Sequence, residues 1–298
     1  MKALLFAQYG DPNVLTVGDV PEPHAGPGEI RIAVRAAGVS PGDDAIRSGA
    51  WRDRVPLALP YVVGLDAAGV VDEVGDGVHG VRVGDEVFGL RFRGNTTAEY
   101  AVLDAWAHKP GNMRWPQAGG AATGIETAVR ALDVLGVHSG TTLLLDGAGG
   151  GVGAVARGAR VIGTASTPNH PFLEELGAIP IEYGPGLPER IQRVTGHPVD
   201  SAVDIAGRGS VEELVRITGD ANAVLTLVNP AAENQGVRLL RFDPAADNSA
   251  ALEYGAELVA AGRLAVHVAH AYPMDEGPAA HTRVASRHTR GKIVITVP

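Results

Sequence analysis

The sequence contains no cysteine. That excludes disulfides, thiolate zinc ligands and cysteine nucleophiles together. No apolar run approaches the ~20 residues of a membrane-spanning helix, and the apolar part of the N-terminal MKALLFAQYG is too short for a secretion signal. The expected compartment is the cytoplasm, with no membrane partner. A run of basic residues is missing too. The net charge is −9, from 25 Lys and Arg against 34 Asp and Glu, which argues against nucleic acid or an anionic membrane as partner. No H-E-x-x-H pattern occurs, and the spacings His267/His270 and His281/His288 do not replace it. A lone histidine is usually structural, so no metal site is expected. Internal repeats and low-complexity segments are also lacking.

What is present is a globular composition, 298 residues with 45% hydrophobic and 20% charged, enough for one large or two ordinary domains. The first ~110 residues read as β-rich by alternation and turn spacing. Glu29 to Arg35 alternates polar and apolar, Val62 to Val74 is β-branched, and the tail Ile293 to Val297 is again a strand. Lys109-Pro110-Gly111 marks a boundary. From Ala121 to Leu135 the period is helical, and βα alternation then continues to the helix Ala250–Ala261. Alternation of this kind predicts a parallel sheet with helices on both faces.

The stretch from Thr141 to Ser166 organises the second half. Leu143-Leu144-Leu145 is a buried strand, Gly147 to Gly153 is a glycine-rich turn, and Ala159 to Gly163 is a second strand. Small residues let the backbone approach a pyrophosphate, and the N–H groups of the next helix face the anion. In the G-x-G-x-x-G frame the positions are Ala148, Gly150 and Gly153, so alanine replaces the first glycine. After the second strand, residues 163–170 carry hydroxyls and an imidazole but no carboxylate. An acidic residue there would bind the ribose 2′-hydroxyl of NAD; its absence points to NADP(H). The plainer account is that Ser166, Thr167 and Asn169 cap the next helix. Gly38-Val39-Ser40-Pro41-Gly42 matches G-x-S-x-G, but Pro41 has no N–H to lend an oxyanion hole, so a serine hydrolase is excluded.

Together these segments resemble the zinc-free medium-chain dehydrogenase/reductases, in particular the quinone oxidoreductase branch. The likeness rests on residues 37–49, Gly64 to Val71, Val83 to Gly89, Ala98 to Tyr100, Ala148 to Gly153, Arg157 to Thr164 and His288 to Lys292. The resemblance implies an α/β protein with a GroES-like β-rich domain, 1–115 with 265–298, and a Rossmann doubly wound parallel-sheet domain, 116–264. It implies NADPH, a small quinone or α,β-unsaturated carbonyl substrate, and a homodimer joined through the cofactor domains near Ala223–Val228 or the neighbouring strand. The zinc branch has cysteine near Ser40 and histidine near Leu65, and neither is present here.

Carried over by position, Ala148, Gly149, Gly150, Gly151, Val152 and Gly153 line the pyrophosphate. Ser166, His170 and Tyr183 lie at the adenosine end, and Arg287 and Lys292 return toward the cofactor. Thr127 and Ser40 are the candidate catalytic groups, and Ser40 and Asp43 face the substrate. Relatives often have asparagine at Ser40 and tyrosine at Ala45. They also run about two further helical turns between Ala156 and Arg157. Gly147 to Gly158 barely meets the ~10–12 residues of a crossover, and the expected helix, Val152 to Arg157, is short. The crossover could be a short helix plus an extended segment, the strands could be unusually short, or residues could be absent near Ala156. The alternative function is a binding or scaffold protein that kept the fold and lost the redox reaction.

Overall fold

The computed structural model describes residues 1–53, 55–148, 158–241, 248–286 and 289–298. The chain divides into two compact units, 1–126 with 247–298, and 127–246. The first unit runs through β1 (Lys2–Phe6), β2 (Thr16–Asp19), β3 (Ile30–Val39), α1 (Pro41–Ser48), β4 (Tyr61–Val62) and β5 (Asp66–Val74). It continues with β6 (Glu86–Leu90), β7 (Tyr100–Leu103), β8 (Ala105–His108) and α2 (Trp115–Gly119), and the division falls inside α3 (Ala122–Leu135). In the second unit are β9 (Thr142–Asp146), β10 (Arg160–Thr164), α4 (His170–Glu175), β11 (Ile179–Ile181) and α5 (Leu187–Thr195). Then come β12 (Ser201–Asp204), α6 (Val211–Thr218), β13 (Val224–Thr226) and β14 (Arg238–Leu239). The chain returns to the first unit with α7 (Asn248–Ala260), β15 (Val268–Pro273), α8 (Gly277–Ala285) and β16 (Lys292–Thr296).

β3 organises the first unit. Ile30, Ile32 and Val34 are buried and alternate with Arg31, Ala33 and Arg35, the period-two pattern of a half-buried strand. From Ala36 onward both faces are buried, while β5 and the tail strand β16 pair along the two edges. Gly69 on β5 has no substitute here: a Cβ would stand 2.1 Å from the Ala33 carbonyl oxygen. The absence of a side chain lets the strands close beside the irregularity at Val34 and Ala36.

The second unit is a six-stranded parallel sheet among the described residues, in the order β11-β10-β9-β12-β13-β14. Numbered from β9, this is the 3-2-1-4-5-6 order of a doubly wound dinucleotide-binding sheet. Leu187 and Ile191 on α5, and Val211, Leu214 and Ile217 on α6, recur at helical spacing and pack with Leu144, Ile162 and Ala202 of the sheet.

Three expectations meet this structure. The sequence reading placed 116–264 in the cofactor domain, whereas the compact units divide at 126 and 247. The reason is α7: the Trp106 N–H donates to the Ser249 hydroxyl at 3.3 Å and the Asn112 amide to the Val259 carbonyl at 2.8 Å. Of the two strands expected as candidates for a dimer edge, β13 is buried and paired on both sides, and its neighbour β14 forms the edge among the described residues. The expected helix Val152–Arg157 and the Ala156–Arg157 spacing lie outside the described residues. The strands that this crossover joins have five residues each, about 17 Å, which is an ordinary strand length.

Candidate functional site

In the first unit Ser40 is the N-cap of α1. Its hydroxyl donates to Asp43 Oδ2 at 2.7 Å, its N–H donates to the same oxygen at 2.8 Å, and the Asp43 N–H reaches back to Ser40 Oγ at 3.4 Å. This is a reciprocal capping box, closed by a carboxylate. Asp43 Oδ1 accepts from the Gly64 N–H at 3.2 Å, so one side chain ties α1 to the turn before β5. Both residues are buried. Burial pushes the Asp43 carboxyl up to about 6, against the pull of the Ser40 hydroxyl and backbone, with the Asp66 charge adding to the rise.

Asp66, also buried, opens β5. Its Oδ2 accepts from the Thr123 N–H in the first turn of α3 at 3.2 Å, while Oδ1 has no partner among the described residues. Burial raises its pKa, and Lys292 opposes that rise. Lys292 itself lies on β16 with its Cβ against Gly120. Ser40 and Leu65 are brought together, both in van der Waals range of where a Gly42 Cβ would stand.

In the second unit the polar residues gather at the carboxyl ends of the strands. Asp146 ends β9 and accepts from the Thr164 and Ser210 hydroxyls. Gly147, at φ +92°, follows, and its N–H donates to Thr164 Oγ1 at 2.9 Å. A Cβ there would stand 2.9 Å from the Ala206 Cβ. The Ala148 N–H donates to the Thr164 carbonyl at 3.2 Å, and a Cβ on Gly163 would stand 2.8 Å from the Ala148 Cβ. Gly147 and Ala148 are therefore drawn tightly onto the neighbouring strands. Asp204 closes β12 in the same way, accepting from Thr226 Oγ1 and the Gly207 N–H, each at 2.8 Å.

The more accessible residues lie farther out. Asn169 donates to Ser166 Oγ at 3.2 Å, and His170 Nε2 lies 3.3 Å from the Ala165 carbonyl. Tyr183, 40% exposed, follows β11 and lies under the Arg208 guanidinium, 4.3 Å from its ring centroid. Thr127 is half-buried on α3.

Two family descriptions match the chain: alcohol dehydrogenase GroES-like domain over residues 26–130, and zinc-binding dehydrogenase over 181–295. Human quinone oxidoreductase is 39% identical over 183 residues, 56% of this chain. A 2-methylene-furan-3-one reductase from Solanum lycopersicum is 31% identical over 253 residues, 76% of this chain. The chain spans 53% and 62% of those two relatives. A mycobacterial protein solved with NADPH superposes with a TM-score of 0.84 at 26% identity, covering all of both chains. The two matched domains are those of the medium-chain dehydrogenase/reductases, and the similarity lies with their quinone oxidoreductase branch.

Ser40 and Leu65 stand near the places expected to carry cysteine and histidine in the zinc branch. A hydroxyl and an aliphatic side chain do not fit zinc, and no group of three or more His, Asp or Glu that could hold a metal occurs among the described residues. Within the first unit the structure joins Ser40 to Asp43 and sets Lys292 near Asp66. Within the second it places Ala148, Ser166, His170 and Tyr183 along one sheet edge. Gly149, Gly150, Gly151, Val152, Gly153 and Arg287 lie outside the described residues.

Sequence reasoning missed two charged residues of this reductase fold. The carboxylate-free segment 163–170 is not free of carboxylate in space, because β11 brings Glu182 Oε1 within 3.4 Å of Thr167 Oγ1. Arg208 was missed although a signal existed: it stands between Gly207 and Gly209, both at positive φ, just past the end of a sheet strand.

Proposed function

We propose that the protein is an NADPH-dependent reductase of quinones or α,β-unsaturated carbonyls, acting by hydride transfer without a metal. The observation that carries this reading is the carboxyl edge of the second unit. There a glycine-tightened turn after β9 is followed by accessible Ser166, His170 and Tyr183. The names of the human and tomato relatives supply the substrate class, and the NADPH complex of the mycobacterial neighbour supports the cofactor. On this reading Ala148 lies at the pyrophosphate and Ser166, His170 and Tyr183 at the adenosine end of a dinucleotide, with Gly147 and Gly163 allowing the close packing beneath.

When bound, the nicotinamide supplies the hydride for an electron-poor carbon. The chain's part is to bind, orient and provide a proton. Ser40 is poorly placed for that last role, because its hydroxyl hydrogen is already given to Asp43. The hydroxyl becomes available only when Asp43 is protonated, below about pH 6. Thr127 or solvent is then the proton source at neutral pH. We also assign the protein to the cytoplasm as a homodimer joined along β14.

The test follows loss of NADPH absorbance with a quinone and with an enone, and compares calorimetric affinities for NADPH and NADH. Turnover with tighter NADPH binding supports the reading. NADPH binding without turnover of either substrate class favours the scaffold alternative, and absence of binding removes both the cofactor and the reaction.

A further inference from the structure

We infer that Arg208, stacked on Tyr183, is the cation that recognises the 2′-phosphate of the nucleotide, and that Glu182 weakens the same subsite by its charge. This rests on reading the second unit as an NADPH site.

The geometry begins with strand order. Tyr183 follows β11 and Arg208 follows β12, and β10 and β9 lie between them. Three strand spacings are about 14 Å. The Arg208–Tyr183 contact therefore closes over the carboxyl ends of the strands where open α/β sheets take their ligands. It joins residues that follow strands on either side of the β9/β12 switch point.

The loop that carries Tyr183 is held by a different arginine. Arg190 donates from Nε and Nη2 to the Glu182 carbonyl at 3.1 and 2.8 Å, from Nη2 to Gly184 at 2.9 Å, and from Nη1 to Pro185 at 2.7 Å. Four of its five N–H groups go to main-chain carbonyls, which fix the loop. Arg208 differs. Among the described residues its guanidinium meets the Tyr183 ring and no hydrogen-bond acceptor or carboxylate. Stacking fixes the plane of a guanidinium while its in-plane N–H fork stays open, the arrangement suited to phosphate oxygens. Gly207, with φ +63°, and Gly209, with φ +81°, set the loop's turn, and the Gly207 N–H is anchored on Asp204.

The charge balance explains why the subsite needs this residue. The segment after β10 offers hydroxyls and one imidazole, and Glu182 brings a negative carboxylate to Thr167. A phosphate dianion in this setting requires a positive partner, and Arg208 is placed to provide it. A ligand without the 2′-phosphate has no use for the fork.

Calorimetry with 2′,5′-ADP and with 5′-AMP tests this on the full chain. Wild type should bind 2′,5′-ADP more tightly than 5′-AMP. Arg208→Gln should weaken 2′,5′-ADP by about tenfold or more, the worth of a charge-assisted hydrogen bond, and change 5′-AMP less than about twofold. Arg208→Lys keeps the charge without the planar fork and should fall between. Glu182→Gln should strengthen 2′,5′-ADP alone. Thermal midpoints within about 2 °C of wild type show that the variants fold. Unchanged 2′,5′-ADP affinity in Arg208→Gln, or an equal loss for both ligands, overturns the role of Arg208 and leaves the NADPH reading intact. A wild type that does not prefer 2′,5′-ADP overturns both.

Discussion

Two carboxylates and their hydroxyl partners, one set in each unit, make an instructive pair. In the first unit Ser40 and Asp43 satisfy each other and the backbone of α1 and Gly64, out of reach of solvent. In the second, Asp146 takes up Thr164 and Ser210 beneath the sheet edge, while Ser166, Tyr183 and Arg208 stay accessible above it. The chemistry is similar and the consequence is not. In the first unit the polar side chains are consumed by folding. In the second, a buried polar layer supports an outer layer that remains able to bind. Buried polar groups carry most weight where removal strands a neighbour, so the comparison can be broken by truncating them in turn.

Asp43→Ala carries the largest expected effect. It strands the Ser40 and Gly64 N–H groups and opens the capping box of α1, which should cost about 4 kcal/mol in urea unfolding. A loss below about 1 kcal/mol would mean that the capping box is incidental. Asp146→Ala comes next, at about 2 kcal/mol, because Thr164 keeps the Gly147 N–H as a partner. Unlike Asp43→Ala, it should also loosen Gly147 and weaken NADPH binding. Equal affinity in wild type and Asp146→Ala would show that the buried layer does not support the outer one.

The third prediction is a pH dependence, in which two buried groups of the first unit oppose each other. His281 on α8 is buried, neither ring nitrogen has a partner among the described residues, and burial, with the Arg47 charge adding, lowers its pKa from 6.5 to about 3. Its neutral form stabilises the fold fully above 6.5, and that contribution is lost as pH falls toward 3. Asp43 behaves in reverse. Its pKa is raised from 3.8 to about 6, so its contribution is full below 3.8 and lost as pH rises through 6. Between these values the two slopes partly cancel, each at most about 1.4 kcal/mol per pH unit. His281→Leu should make the protein relatively more stable toward acid, and Asp43→Asn relatively less. Urea midpoints measured across that range check both, and parallel profiles for wild type and His281→Leu would refute the assignment.

Much of this was legible because it is periodic or local. β3 shows its alternation, the β9–turn–β10 run shows its glycines, and the tail strand β16 shows its β-branched residues. Ser40-Pro41-Gly42-Asp43 is itself a capping pattern ahead of a helix, so its structural role could be read from spacing. The place of α7 could not, since its partners Trp106 and Asn112 lie on a segment far away in sequence. The approach of Glu182 to Thr167 and of Arg208 to Tyr183 was hidden for the same reason. Each depends on strand order, which puts β11 beside β10 and β12 beyond β9. Local composition describes one strand end, whereas a binding edge is assembled from several.

Ser166→Ala is the smallest change in stability and the sharpest test of the contrast. The Ser166 hydroxyl accepts only from Asn169 at 3.2 Å among the described residues, and the site is half-buried. Its loss leaves a solvent-accessible amide unpaired, which water can satisfy, so the fold should change by less than about 0.5 kcal/mol. Binding should respond differently. A hydroxyl beside the 2′-phosphate donates one hydrogen bond, worth about threefold to tenfold in 2′,5′-ADP affinity. The capping account makes the opposite forecast. If Ser166 serves mainly to start the helical turn at Thr167–Asn169, the alanine variant should lose about 1 kcal/mol of stability while ligand affinity stays level. The Ser166 hydroxyl receives no backbone N–H in that turn, which favours the binding role. Thermal unfolding and calorimetry on one preparation separate the two, because the quantity that moves under one account stays still under the other.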